Sequence, residues 1–290
     1  MSIVPPPVPE VWPIYPDLAG KVALITGIGQ VGPSDSPFWG NGAATARLLA
    51  KNGVKIFGCD LNLKAAERTK QRLLEEDPER IVDVVAADVL KGDQVEALVD
   101  AVMKKHGCID ILINNVGQTS AGNPATMSEE LWNFQLDLNL TSVYRLCHYV
   151  VPIMEKQGSG NIINNASITA LRYIGKHQIA YASAKAAVIR FTKALGVMYA
   201  KNNIRSNCVV PGLMYTPLVD NFAQSKDPGD QEAAKRILDH NCPMGWMGTG
   251  ADVANAAAWL ASGASRYVTS HELVVDGGIT ESTGTGFHAK

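Results

Sequence analysis

Val22-Ala23-Leu24-Ile25-Thr26, then Gly27-Ile28-Gly29-Gln30-Val31-Gly32, then Gly40-Asn41-Gly42 form the stretch that decides how this chain folds. The first five residues are a short, almost wholly apolar run, as in a strand buried on both faces. Read literally, Gly27-x-Gly29-x-x-Gly32 is the G-x-G-x-x-G turn that carries a dinucleotide between a strand and a helix. That register needs a helix straight after Gly32. Pro33, Ser34, Asp35, Ser36 and Pro37 stand there instead, and proline cannot occupy a helix interior without losing a hydrogen bond and clashing with the preceding turn. A second register ends the strand at Gly27, lets residues 28–39 loop out, and returns through Gly40-Asn41-Gly42 to a helix N-terminus. Unpaired N–H groups and the helix dipole would meet a pyrophosphate there.

Spacing selects the second register. An acidic residue that binds the adenosine ribose belongs about 20 residues beyond the last glycine, at the end of the next strand. Asp60 lies 18 residues after Gly42 but 28 after Gly32. A carboxylate there accepts hydrogen bonds from the ribose hydroxyls and repels a 2′-phosphate. No Arg or Lys occurs between Gly27 and Gly42 to welcome that phosphate. The expected cofactor is NAD, with NADP disfavoured; Lys64 is the nearest cation that could soften the choice if it folds back.

Outward from this stretch, short apolar runs alternate with longer helical patterns. Strands are expected at residues 22–26, 55–59, 82–87, 109–114, 161–165, 204–209 and 272–275. Helices are expected at 43–51, 63–76, 94–106, 129–155, 178–200 and 251–260. Such alternation predicts an α/β fold, a single-domain doubly wound parallel sheet of Rossmann type with about seven strands, flanked by helices. Residues 1–17 form a Pro-rich arm that reads as a loosely held terminus; the sharper alternative is that Trp12 and Tyr15 dock on the body or on a neighbouring subunit. Residues 18–278 form the domain, 213–250 break the alternation where a substrate lid could lie, and 279–290 are a tail.

Composition narrows the function classes. With 290 residues, 46% hydrophobic, 19% charged and a net charge of −2, the chain has no basic excess for nucleic acid and no charge run for a membrane surface. Nor is any apolar stretch long enough to span a bilayer. Its five cysteines (Cys59, Cys108, Cys147, Cys208, Cys242) are scattered and lack C-x-x-C spacing. They imply buried thiols in a reducing cytoplasm and no metal site.

The chemistry is carried by Tyr181 and Lys185 in the Ala-rich run Ala180-Tyr181-Ala182-Ser183-Ala184-Lys185. Positions i and i+4 share one helix face. A cation beside a phenol favours the phenolate and lowers its pKa, giving an acid/base group for an alcohol oxygen.

In their order along the chain these segments resemble the short-chain dehydrogenase/reductase family, over roughly residues 18–278. Thr26-Gly27…Gly40-Asn41-Gly42 is similar to its T-G-x-x-x-G-x-G turn, Ala87-Asp88-Val89 to its adenine segment, and Asn114-Asn115-Val116-Gly117 to N-N-A-G. Asn139 resembles the family's helix asparagine and Ser167 its serine. Pro211-Gly212-Leu213-Met214-Tyr215-Thr216 resembles the segment beside the nicotinamide, and Val275-Asp276-Gly277-Gly278 the last strand.

The resemblance implies cofactor contacts at Gly27, Asn41, Gly42, Asp60, Asp88, Val89, Asn114, Val116, Gly117, Tyr181, Lys185, Pro211, Gly212, Met214 and Thr216. It implies catalytic roles for four residues. Tyr181 would exchange a proton with the substrate oxygen, and Ser167 would hydrogen-bond that oxygen. Lys185 would lower the Tyr181 pKa and hold the nicotinamide ribose, and Asn139 would position a proton-relaying water. The expected reaction is NAD-dependent interconversion of a secondary alcohol and a ketone. A homotetramer or homodimer is expected by analogy. A non-redox isomerase or cyclase, or a cofactor-binding scaffold, is the alternative.

Two departures stand out. Twelve residues separate Gly27 from Gly40 where the family pattern has three, as in the related enoyl-thioester reductases. Those place their lysine further along the helix, where Val188 stands here. The long turn is expected to fold over the adenosine or pyrophosphate and slow cofactor exchange. Ser167 and Tyr181 are also one residue further apart than is common, slack that falls in the loop 168–180. Of the residues near it, Thr169, Arg172, Tyr173 and His177 are expected to line the substrate pocket. Arg172 and His177 would either bind a carboxylate or phenolate or be solvated. Met214, Tyr215, Leu218 and Phe222 would form an apolar cover or ordinary core, and Tyr215 is a substrate contact on the first view.

Overall fold

Alternation of apolar runs with amphipathic stretches produces one layered body in the computed structural model, which describes residues 12–33, 36–217, 219 and 242–283. In chain order the elements are β1 (Val22–Thr26), α1 (Asn41–Lys51), β2 (Lys55–Asp60), α2 (Leu63–Glu76), β3 (Val82–Ala86), α3 (Gly92–His106) and β4 (Ile111–Asn114). Then follow α4 (Glu129–Leu136), α5 (Ser142–Gln157), β5 (Gly160–Asn165), α6 (Ile179–Met198), β6 (Ile204–Pro211), β7 (Met214–Tyr215), β8 (Gly248–Thr249), α7 (Gly250–Ala261) and β9 (Glu272–Val275).

Seven strands form one sheet in the order β3-β2-β1-β4-β5-β6-β9, every pair parallel. One apolar core fills the face under α3, α5 and α6, and a second fills the face under α1, α2 and α7. Because both faces are covered, β1 is buried at every position. Strand order reverses between β1 and β4, so the crevice at their carboxyl ends is where such a fold receives a ligand. Among the described residues no helix is long and apolar enough to cross a membrane.

Most expected elements are present; the differences have local causes. The predicted strand at 109–114 begins only at Ile111, because Asp110 turns its carboxylate onto the Val22 N–H (2.9 Å) and the Lys21 ammonium (3.1 Å). The predicted single helix at 129–155 is interrupted by a π turn, Asp137–Thr141, between α4 and α5. Such wide turns are frequent at functional sites, and this one holds Asn139. Of the arm, Trp12 lies beneath the Arg47 guanidinium, 5.2 Å from ring centroid to Cζ. The Tyr15 N–H bonds Asn52 Oδ1 (2.6 Å). This end of the arm is therefore docked on α1 and the residue that follows it. Leu218 and Phe222 lie outside the described residues.

All five cysteines are free thiols. Burial pushes Cys59, Cys147 and Cys208 up to about 12 from 9.0. The folded state therefore holds these protons between pH 9 and 12 while the unfolded chain releases them. Stability is full below pH 9 and is lost as pH rises toward 12, by about 1.4 kcal/mol per pH unit for each thiol. Urea midpoints should fall steeply between pH 9 and 11, and less steeply in Cys208→Ala. Parallel slopes would contradict the assignment.

Candidate active site

The carboxyl end of β5, the π turn and α6 bring the predicted catalytic residues together. β5 ends at Asn165 and runs through Ala166 to Ser167, which caps a short 3-10 turn, Ile168–Ala170. Tyr181 and Lys185 lie one turn apart on α6. The Lys185 side chain points inward, leaving 2% of the residue exposed. Its ammonium donates to the Asn165 carbonyl (2.8 Å) and lies 5.8 Å from the Tyr181 ring centroid. A Cβ placed on Gly117 would be 2.9 Å from both Lys185 Nζ and Asn139 Oδ1. The lysine and the π-turn asparagine thus converge on one glycine that has no room for a side chain.

Electrostatics differ from the sequence expectation in one respect. Burial pushes the Tyr181 phenol up from its ordinary value, and only the Ser167 hydrogen bond works against this. The expected lowering by Lys185 is therefore not the dominant effect in the free protein. Desolvation penalises the phenolate, and the Lys185 ammonium is not among the groups that offset it. Burial also pulls Lys185 down from 10.5 to about 8, so at neutral pH it is still mostly a cation.

Ser167 Oγ accepts from the Thr169 hydroxyl (3.0 Å) and the Thr169 N–H (3.3 Å). With those acceptor sites filled, its own proton is free to turn toward Tyr181 or a bound oxygen. Asn139 is completely buried. It accepts from the Gln118 N–H (3.1 Å) and donates to the carbonyls of Gln118 and Gln135 (both 3.0 Å).

On the other side of β4, Gly27, Asp60, Asp88, Val89, Val116 and Gly117 share a cleft of about 340 Å³. Helix α1 starts at Asn41 with no side-chain cap, as the second glycine register requires, and Asn41 Oδ1 is buried without a partner. A Cβ on Gly42 would be 2.3 Å from the Gly27 carbonyl and 2.4 Å from Asn115 Nδ2, so only glycine fits. Asp60 accepts from the N–H groups of Gly29 and Asn62 (both 2.9 Å). The uncapped helix start, the bare glycine backbone and the carboxylate at the end of β2 suit a dinucleotide.

Asn114 and Asn115 have different partners. Asn114 is spent inside the sheet, donating to Asn164 Oδ1 (2.8 Å). Asn115, which sequence reasoning did not single out, donates to the Gly27 carbonyl (2.8 Å) and accepts from Asn165 Nδ2 (2.6 Å). It ties the glycine turn to the carbonyl-bearing residue under Lys185. The available signal was the second position of the Asn-Asn pair.

Further round the rim, Pro211 ends β6 and the Gly212 N–H bonds the Val275 carbonyl (2.8 Å). Met214 pairs with Gly248 in the short β7–β8 ladder, and Thr216 follows it. Thr169, Arg172, Tyr173 and His177 come together in a cavity of about 120 Å³ beside Gly122 and Ala182. Two of the expected substrate contacts have partners within the protein. Arg172 lines this cavity with its Nη1 engaged elsewhere. Its Nη1 donates to the carbonyls of Ile279 (3.2 Å), Thr280 (2.9 Å) and Ser282, holding the C-terminal segment. Tyr215 is buried outside that cavity, its ring 4.6 Å from Phe38.

The family profile described as Enoyl-(Acyl carrier protein) reductase matches residues 39–280. The chain is 36% identical over 275 residues to 3beta-hydroxysteroid dehydrogenase 1 of Eggerthella lenta, covering 94% of this chain and 99% of that protein. A crystal structure of a short-chain dehydrogenase/reductase from Burkholderia xenovorans superposes with a TM-score of 0.84 at 41% identity, covering 92% of this chain and 98% of that one. L-sorbose reductase from Gluconobacter frateurii, solved with NADPH and L-sorbose, gives 0.82 at 30% identity, covering 92% and 99%.

Proposed function

This chain belongs to the short-chain dehydrogenase/reductase family of oxidoreductases, and we propose that it interconverts a secondary alcohol and a ketone with NAD. The observation that carries this reading is the convergence of Ser167, Tyr181 and Lys185 at the carboxyl end of β5, with Asn139 across Gly117. When bound, the nicotinamide supplies or takes the hydride.

In the reducing direction the Tyr181 hydroxyl, which burial holds in its protonated form at neutral pH, gives its proton to the substrate oxygen. Ser167, its acceptor sites engaged by Thr169, donates a hydrogen bond to the same oxygen. The Lys185 ammonium stabilises the phenolate left behind. Asn139 is the residue beside which a water would return the proton from solvent. An enoyl-thioester reductase is disfavoured, because Val188, seven residues beyond Tyr181, is a fully buried apolar residue.

Asp60 supports NAD over NADP even though the sorbose reductase carries NADPH. Arg68, which follows on α2, is turned away to the carbonyls of Gly32 and Pro33. A homodimer or homotetramer in the reducing cytoplasm completes the proposal, and the five free thiols support that compartment.

The test is a spectrophotometric screen of alcohols and ketones with NAD(H) and NADP(H) in parallel. Like-charge contact costs several kcal/mol, so kcat/KM with NADH should exceed that with NADPH by about a hundredfold. Asp60→Ser should shrink the ratio to about tenfold or less. Equal use of both cofactors by the unaltered protein would refute the assignment of Asp60. Silence across the whole panel would refute the reaction class.

A further inference from the structure

The inserted turn between β1 and α1 touches the cofactor cleft at its start, where the Gly29 N–H bonds Asp60 (2.9 Å), and from Gln30 onward its side-chain contacts among the described residues run away from that cleft. Gln30 closes the turn on itself: buried, it donates to the Phe38 carbonyl (2.6 Å) and accepts from the Gly40 N–H (3.0 Å). On the α2 side, Arg68 donates to the Gly32 carbonyl (2.8 Å). Trp39 lies between two guanidinium groups, 3.9 Å from Arg72 and 4.9 Å from Arg47.

The opposite side of the turn meets the chain that leaves β6. The Phe38 ring is 4.6 Å from Tyr215, within a small apolar cluster that includes Met247, Leu213 and Cys242. Gly32 sits so close to Pro217 that a Cβ on it would be 2.7 Å from the Pro217 Cβ and carbonyl oxygen. The Trp39 carbonyl is 2.5 Å from where a Cβ on Gly250 would stand, at the start of α7.

We infer that the inserted turn is a brace that positions residues 211–217, with Phe38 as its central positioning residue. β7 and β8 pair over two residues each, and an isolated two-stranded unit is too weak to hold itself in place. Its location is set by the apolar cluster beneath it, to which the turn contributes Phe38. The braced segment starts beside the chemistry: the Ala166 N–H bonds the Val209 carbonyl (2.8 Å), so β6 ends one strand from Ser167. At the adenosine end of the cleft, Asp60 meets the turn at the Gly29 N–H (2.9 Å), nine residues before Phe38, while Asp88 and Val89 belong to the β3–α3 loop and stand outside this cluster. The brace rests on the hydride-transfer reading, in which the nicotinamide ring lies against 211–216 and tolerates little displacement.

The test compares ADP-ribose, which lacks the nicotinamide ring, with NADH. In Phe38→Ala, ADP-ribose affinity should stay within about twofold, while NADH affinity and kcat each fall about tenfold or more. Phe38→Leu should recover most of the loss. Gly32→Ala pushes on Pro217 without removing the ring, and should give the same split if the alanine of Phe38→Ala prevents folding. Equal loss of ADP-ribose and NADH affinity would overturn the brace and assign the turn to the adenosine end. No change in any of the three would overturn it too. A preserved binding split in a protein that turns over no alcohol or ketone would sustain the brace and remove the hydride-transfer reading instead.

Discussion

Tyr181→Phe leaves NADH and ADP-ribose binding within about twofold and lowers turnover by about a thousandfold, the scale of a lost general acid. The phenol is the proton donor in the proposed reaction, and removing one oxygen leaves the ring's packing in place. Burial raises this group in the free protein. The variant thus removes an acid that is fully protonated at neutral pH, and no buried charge is left stranded by the change. Rapid-mixing measurement of NADH oxidation separates the chemical step from cofactor release. Turnover within tenfold of the unaltered protein would remove Tyr181 from the mechanism.

Lys185→Met has a second large effect, with a pH signature of its own. Turnover should fall by about a hundredfold, because the phenolate formed in reduction loses its cation. In the unaltered protein kcat/KM for reduction should be level at neutral pH and decline above about 8, where Lys185 gives up its proton. The methionine variant should lack that limb.

Stability supplies an independent readout. The unfolded chain keeps this lysine protonated up to about 10.5, the folded protein only to about 8. Between those values the unfolded state binds more protons, so this group makes stability rise with pH, by on the order of 3 kcal/mol across the window. The buried thiols oppose it above pH 9, so the quantity to measure is the difference between variant and unaltered protein. Near pH 7 the variant is relieved of a buried charge but leaves the Asn165 carbonyl without its donor, a cost of about 1–3 kcal/mol. Relative to the unaltered protein it should then lose stability as pH rises from 8 to 10.5. A pH-independent difference would show that Lys185 keeps an ordinary pKa.

The site was legible where function follows from spacing along the chain. The glycine register could be chosen because two prolines forbid a helix after Gly32 and because Asp60 lies at the right distance from Gly42. Tyr181 and Lys185 could be paired because a helix repeats every 3.6 residues. The same logic did not reach Asn115, whose value lies in joining Gly27 to Asn165, 88 and 50 residues away. Nor did it reach the hold of Arg172 on the C-terminal segment, whose carbonyls lie 107 to 110 residues further along the chain.

Local chemistry alone therefore determined the order of strands and helices, the choice of glycine turn and the face shared by the phenol and the lysine. Each of these depends on steric limits or periodicities within about twenty residues. Tertiary structure decided how deeply Lys185 is buried and so where it titrates. It also decided that Tyr215 packs on Phe38, and that the long turn reaches toward the chain leaving β6. Those outcomes depend on what water is excluded and which distant groups meet, and burial and contact are properties of the packed body that no local pattern in the chain encodes.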